Sequence, residues 1–175
     1  IISQYSEWFT TLVDKNALNE NAIYQNISFI GMTHRISGAQ FNDIWILIPA
    51  ALLFLLPSYR LTQYGNKGFQ WALVASVLMV IILFSTGSES SGYVIAISGV
   101  AIWYVTAPWK RSTTDVVLLI VALVISSFGH SDLMPKIIRN GLIKPYALKA
   151  LPITIIWLKL IWEMCTRDYK ALDKK

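Results

Sequence analysis

The sequence predicts an all-α protein, a polytopic transmembrane helical bundle of about five spans, and three observations carry that prediction. Charged residues make up only 14% of the 175-residue chain, where a water-facing domain carries about 25%. Hydrophobic residues make up 55%, with a mean hydropathy of +0.52, and they gather into blocks instead of recurring at a helical or strand period. Runs such as Val116-Val117-Leu118-Leu119-Ile120-Val121 do not alternate. That sets aside the β-barrel, the other architecture that satisfies backbone groups in lipid.

The first stretch, residues 1–40, differs in kind from the rest. Ile2, Tyr5, Trp8, Phe9 and Leu12 repeat at three- and four-residue spacing, an amphipathic helix suited to lying on an outer membrane face. Asn16–Asn26 is polar and reads as a loop, and Ile27–Ile36 as a short helix ending in His34-Arg35.

The spans follow in residues 41–165: Ile44–Leu56, Phe69–Phe84, Tyr93–Ala107, Val116–Phe128 and Tyr146–Met164. Several are shorter than the roughly 20 residues that a hydrocarbon core of about 30 Å requires. Trp45, Tyr59, Trp71, Trp103, Tyr104, Trp109, Tyr146 and Trp162 lie near the block ends and are expected to extend them into the headgroup region. Pro57, Gly65, Gly68, Gly87, Gly92, Pro108, Gly129, Pro135, Gly141 and Pro145 fall in the connections, where breakers stop helices. Pro49 and Pro152 lie inside spans and read as packing kinks.

The positive charges place the ends. Arg60, Lys67, Lys110, Arg111, Arg167, Lys170, Lys174 and Lys175 fall on one side, and Lys15, Arg35, Lys136, Arg139 and Lys144 on the other. The richer side is expected to be cytoplasmic. That gives a multi-pass plasma-membrane protein with a cytoplasmic tail at 166–175 and outward loops at Ser85–Ser91 and His130–Lys144. The chain begins at Ile1 with no signal peptide ahead of its first apolar block, and is expected to be a piece of something longer.

The formal net charge of +5 sits in short loops, where it sets topology, so nucleic acid is not an expected partner. Cys165, the single cysteine, forms no internal disulfide and belongs to no metal-ligand spacing. No nucleophile elbow, P-loop, dinucleotide fingerprint or zinc pattern occurs, and neither a cofactor nor a metal is expected.

Three outward polar clusters carry the candidate chemistry. The first is Asn21, Gln25, Asn26 and Ser28 with His34 and Arg35. An Arg beside a His suits a phosphate, because guanidinium offers paired donors; the alternative is Arg35 reaching for lipid headgroups. The second is Ser85–Ser91, with Ser88 and Glu89. Glu89 suits a general base or a sugar-hydroxyl contact, or equally a helix cap. The third is His130, Asp132, Lys136 and Arg139; His130 with Asp132 is too short a pattern for a metal site and reads as a solvated loop histidine. Lys159 either snorkels or faces a polar cavity.

Asn26-Ile27-Ser28-Phe29-Ile30-Gly31-Met32-Thr33-His34-Arg35, Ser85-Thr86-Gly87-Ser88-Glu89-Ser90-Ser91-Gly92-Tyr93 and Leu151-Pro152-Ile153 resemble the C-terminal half of bacterial glycosyltransferase family 87. The resemblance implies a GT-C-like membrane fold in the bacterial inner membrane. It implies hexose transfer, often of mannose, from a polyprenyl-phosphate donor to a glycan or glycolipid acceptor at the outer face. Arg35 would then stabilise the leaving phosphate with His34 beside it and Lys136 or Arg139 as understudies, while Glu89, Asn26 and Ser88 would contact sugar or acceptor. The family's catalytic base sits in an upstream outer loop with no counterpart here, so this portion is expected to be inactive alone. The short loop also departs from the family by being Ser/Gly-rich with a single acid, Glu89. The rival readings are a transporter or a non-enzymatic scaffold subunit. A membrane polysaccharide polymerase or ligase would share the geometry but carry a long Arg/His-rich loop.

Overall fold

The computed structural model describes residues 2–21, 26–38, 41–85, 88–129 and 131–170, and every regular element among them is helical. Helix α1 runs Ile2–Asn21 and α2 Phe29–Ser37. The larger helices are α3 (Ile44–Leu55), α4 (Lys67–Leu83), α5 (Tyr93–Val105) and α6 (Thr113–Ala122). After two single turns, α7 (Lys136–Ile138) and α8 (Lys144–Tyr146), comes α9 (Ala150–Thr166).

The all-helical expectation holds, but the transmembrane bundle and the multi-pass inner-membrane placement are corrected. Among the described residues no helix is long and apolar enough to cross a membrane. The two longest in the apolar region, α4 and α9, have 17 residues each, about 26 Å at 1.5 Å per residue, against a core of about 30 Å. The others are cut shorter by local chemistry. Ser112 and Asp115 form a reciprocal capping box that opens α6 after the Lys110-Arg111 loop. A π-helical turn at Leu123–Ser127 then replaces its last turns. The outward and cytoplasmic assignments of loops and tail, and the GT-C-like membrane architecture, fall with the spans.

One of the aromatic rings expected at block ends goes elsewhere. Trp103 is buried and donates its indole N–H to Glu163 at 2.9 Å, while Trp45 stays exposed on α3. The expected loop at Asn16–Asn26 is helical as far as Asn21. The Tyr5, Trp8, Phe9 and Leu12 stripe of α1 is exposed.

The core lies where α4 packs against α5 and α9. Small side chains (Ala72, Ala75 and Ser76 on α4, Ala96 on α5) bring the helices close. A Cβ at Gly99 would lie 2.8 Å from the Ala75 carbonyl oxygen, so only glycine fits there. Trp157 of α9 fills the remaining space and donates to Ser76 Oγ at 3.0 Å.

The far end of α9 holds a buried charge node. Glu163 accepts from Trp103 and pairs with Arg111 at 3.3 Å, and the Arg111 guanidinium stacks 4.3 Å from the Trp103 ring centroid. Arg60 donates to the carbonyls of Met164 and Arg167, taking up acceptors that a helix end leaves open. Tyr169 is buried beside Phe69 and Trp109, and its N–H donates to Gln63. Lys159 pairs with Asp115 at 2.5 Å.

Candidate functional site

At the opposite end of α9, three segments distant in sequence converge. The first begins with Asn26, whose side-chain carbonyl accepts from the Ser28 N–H at 3.0 Å. Ser28 caps α2 by accepting from Gly31 N–H at 3.1 Å. The turn is tight: a Cβ on Gly31 would sit 2.4 Å from the Asn26 carbonyl oxygen.

The second segment is the short serine loop. Ile27 N–H donates to the Ser88 carbonyl at 2.9 Å, and Tyr93 O–H donates to the Ile27 carbonyl at 2.5 Å. These two bonds zip Asn26–Ser28 to Ser88–Tyr93. Burial raises the Tyr93 phenol well above its ordinary pKa, so it stays a donor. Ser88 is buried and its hydroxyl has no hydrogen-bond partner among the described residues. Glu89 is exposed and makes no side-chain capping bond to the turn Ser90–Gly92 that follows it.

The third segment is Lys144–Lys149. Arg35 binds it directly, donating to the Lys144 carbonyl at 2.7 Å and to the Asn26 carbonyl at 2.8 Å. Ala147 adopts a left-handed conformation, φ 51°, which is strained for a residue with a Cβ. The turn it makes delivers Lys149, 2% exposed, against the serine loop. Lys149 Nζ donates to Ser90 Oγ at 2.6 Å and stands 5.2 Å from the Tyr93 ring centroid. Its backbone carbonyl accepts from Ser126 Oγ at 2.8 Å. Burial pushes the ammonium down to about 8 from 10.5.

The structure thus brings together Asn26, Arg35 and Ser88, with Glu89 on the rim. It separates the others. His34 Nε2 meets Asp43 Oδ1 at 2.6 Å and its ring stacks on Phe41, 4.4 Å between centroids, so His34 clasps α2 to the start of α3. Arg139 pairs with Asp132, holding that carboxyl below its usual range. Lys136 is exposed, and no hydrogen bond or ion pair joins it or Arg139 to the Asn26–Arg35 segment among the described residues. Gln25, Thr86, Gly87 and His130 lie outside the described residues, as does the side chain of Asn21.

Lys149 is the residue that sequence reasoning missed, because it was absorbed into the apolar block Tyr146–Met164. The signal was available: a lysine inside an apolar run is costly and asks for a partner. Among the described residues no cluster of His, Cys, Asp and Glu is placed to hold a metal ion. No family model, no curated protein and no solved structure matches the chain.

Proposed function

We propose that the chain is the C-terminal portion of a hexosyltransferase that takes its sugar, such as mannose, from a polyprenyl-phosphate donor and passes it to a glycan or glycolipid acceptor. One observation carries the reading: the two stretches with the family 87 resemblance, Asn26–Arg35 and Ser85–Tyr93, meet through the Ile27–Ser88 and Tyr93–Ile27 hydrogen bonds. A buried cation from a third stretch, Lys149, reaches the same loop through Ser90.

In the proposed inverting reaction the acceptor oxygen bonds to the sugar C1 as the C1–O bond to phosphate breaks. The electron pair leaves with the polyprenyl phosphate, and the acceptor proton passes to a carboxylate supplied outside this chain. Positive charge near the leaving phosphate favours this charge development. Arg35, held on two carbonyls, contributes that field from a fixed position. Glu89, exposed and uncapped, is a candidate for a sugar hydroxyl.

The test is hexose transfer from a polyprenyl-phosphate hexose by the protein joined to whatever precedes it in its natural chain, comparing wild type with Glu89→Gln. A fall in kcat of about 100-fold, the size of losing one positioned polar group, supports the reading. Undiminished transfer removes Glu89 from the site. No transfer at all leaves the scaffold reading.

A further inference from the structure

We propose that Lys149, with Ser88 and Ser90, forms a binding site for a phosphate-ester oxyanion, with Lys149 as the charge that sets affinity. The choice of a prenyl phosphate as the ester rests on the hexosyltransferase reading; the site itself rests on the following contrast.

Among the described residues, the other fully buried ionised side chains have opposite charges beside them. Glu163 has Arg111, and Asp115 has Lys159. Lys149 is buried to a similar degree and has no carboxylate within ion-pair distance among the described residues. Its contacts are one hydroxyl, Ser90 Oγ, and the face of Tyr93. A desolvated ammonium so placed is costly, and the strained turn at Ala147 adds to the cost of holding it there.

A second deficit lies in the same loop. Ser88 Oγ, two residues before Ser90, is buried without a partner among the described residues, and an orphaned buried hydroxyl is also unfavourable. A ligand with several anionic oxygens removes both deficits at once. One oxygen takes the Lys149 ammonium, and others take the serine hydroxyls, which can rotate to donate. Glu89, between the serines, is exposed and points its charge into solvent, where it is screened. Tyr93 O–H is already engaged by Ile27, so the tyrosine offers its ring and not its hydroxyl.

The experiment is calorimetric titration of the full chain with farnesyl phosphate and with inorganic phosphate, no sugar or acceptor being present. Wild type, Lys149→Met, Lys149→Arg and Ser88→Ala are compared. Wild type should bind, Lys149→Met should bind about 10- to 100-fold more weakly, the range for one charge-assisted hydrogen bond, and Lys149→Arg should stay within a few-fold of wild type. Farnesyl phosphate bound well ahead of inorganic phosphate assigns the site to a lipid phosphate; equal binding assigns it to free phosphate.

Wild type that binds neither ligand, or Lys149→Met that binds as wild type does, overturns the proposal. Should Lys149→Met fail to fold, Ser88→Ala decides, since equal affinity there also overturns it. The two readings fail separately. Binding that depends on Lys149 in a protein that never transfers sugar refutes the hexosyltransferase alone. Transfer that survives Lys149→Met refutes this site alone.

Discussion

Lys149→Met should erase a rise in stability with pH that the native protein shows between about pH 8 and 10.5. The folded-state ammonium titrates at about 8 and the unfolded one at 10.5. Within that window the unfolded chain binds more protons, so stability climbs as pH rises; below it, folding carries the full penalty of the buried charge. The gap corresponds to about 3 kcal/mol, an upper figure for a group that also has a hydroxyl partner.

Other groups near Lys149 are Tyr93 across the ring contact and Glu89, next to Ser90 in the serine loop. Tyr93 and the distant Tyr169 have raised phenol pKa values, burial being the first cause. Their contribution is present below the unfolded tyrosine value near 10 and is lost as pH rises past it. Both proteins share these terms, so the difference between them isolates Lys149. Urea unfolding followed by tryptophan fluorescence at pH 7, 8.5 and 10 measures it. Wild type should approach the variant, or overtake it, by about 2.5 kcal/mol across the series. Parallel pH profiles would refute the claim that the ammonium is desolvated.

Glu163→Ala should destabilise by about 3–5 kcal/mol, because it strands the buried Arg111 charge, and Glu163→Gln by less, since an amide oxygen still accepts from Trp103; urea midpoints give both. Gly31→Ala should destabilise by about 1–3 kcal/mol, because its Cβ meets the Asn26 carbonyl oxygen at 2.4 Å, and a thermal transition unchanged within error would show that the turn relaxes freely. Burial pushes the Asp115 carboxyl up, but hydrogen bonds from Lys159 and Ser112 outweigh it and hold the group below 3.8. Its contribution is therefore present above the ordinary value and lost as pH falls through the folded one. Asp115→Asn should flatten the acid limb of the stability profile below pH 4 without restoring the native maximum.

The apolar blocks located the helices well: the block opening at Tyr93 begins α5, and that opening at Ile44 begins α3. What they could not convey was length, since an apolar run says nothing about caps or π-helical turns. Ser112 and Asp115 begin α6 three residues ahead of its block, and the same block ends in the wide turn Leu123–Ser127. Nor does a run distinguish lipid from protein as the thing that covers it. Trp103 and Trp157 satisfy the same pattern by packing inward on Glu163 and Ser76. Asn26, Arg35, Ser88 and Glu89 were readable as polar residues at breaks in the pattern. Their joining through Ile27 and Tyr93 was not, because backbone bonds between segments more than sixty residues apart leave no local trace. Lys149 was hidden by its neighbours: one charge does not break a block of Leu, Ile and Trp.

Helix α9 touches α2, α4, α5 and α6, yet a ribosome makes it after all of them. Synthesis at about 5–20 residues per second leaves the inner faces of α4 and α5, with Phe69, Met79 and Val100, waiting several seconds for their cover. Until α9 arrives those faces are sticky, and a stalled or truncated product ending before Ala150 would present them permanently. Such products should be conspicuous clients of the chaperone machinery, and pulse-labelled nascent chains arrested on either side of α9 should differ sharply in protease resistance.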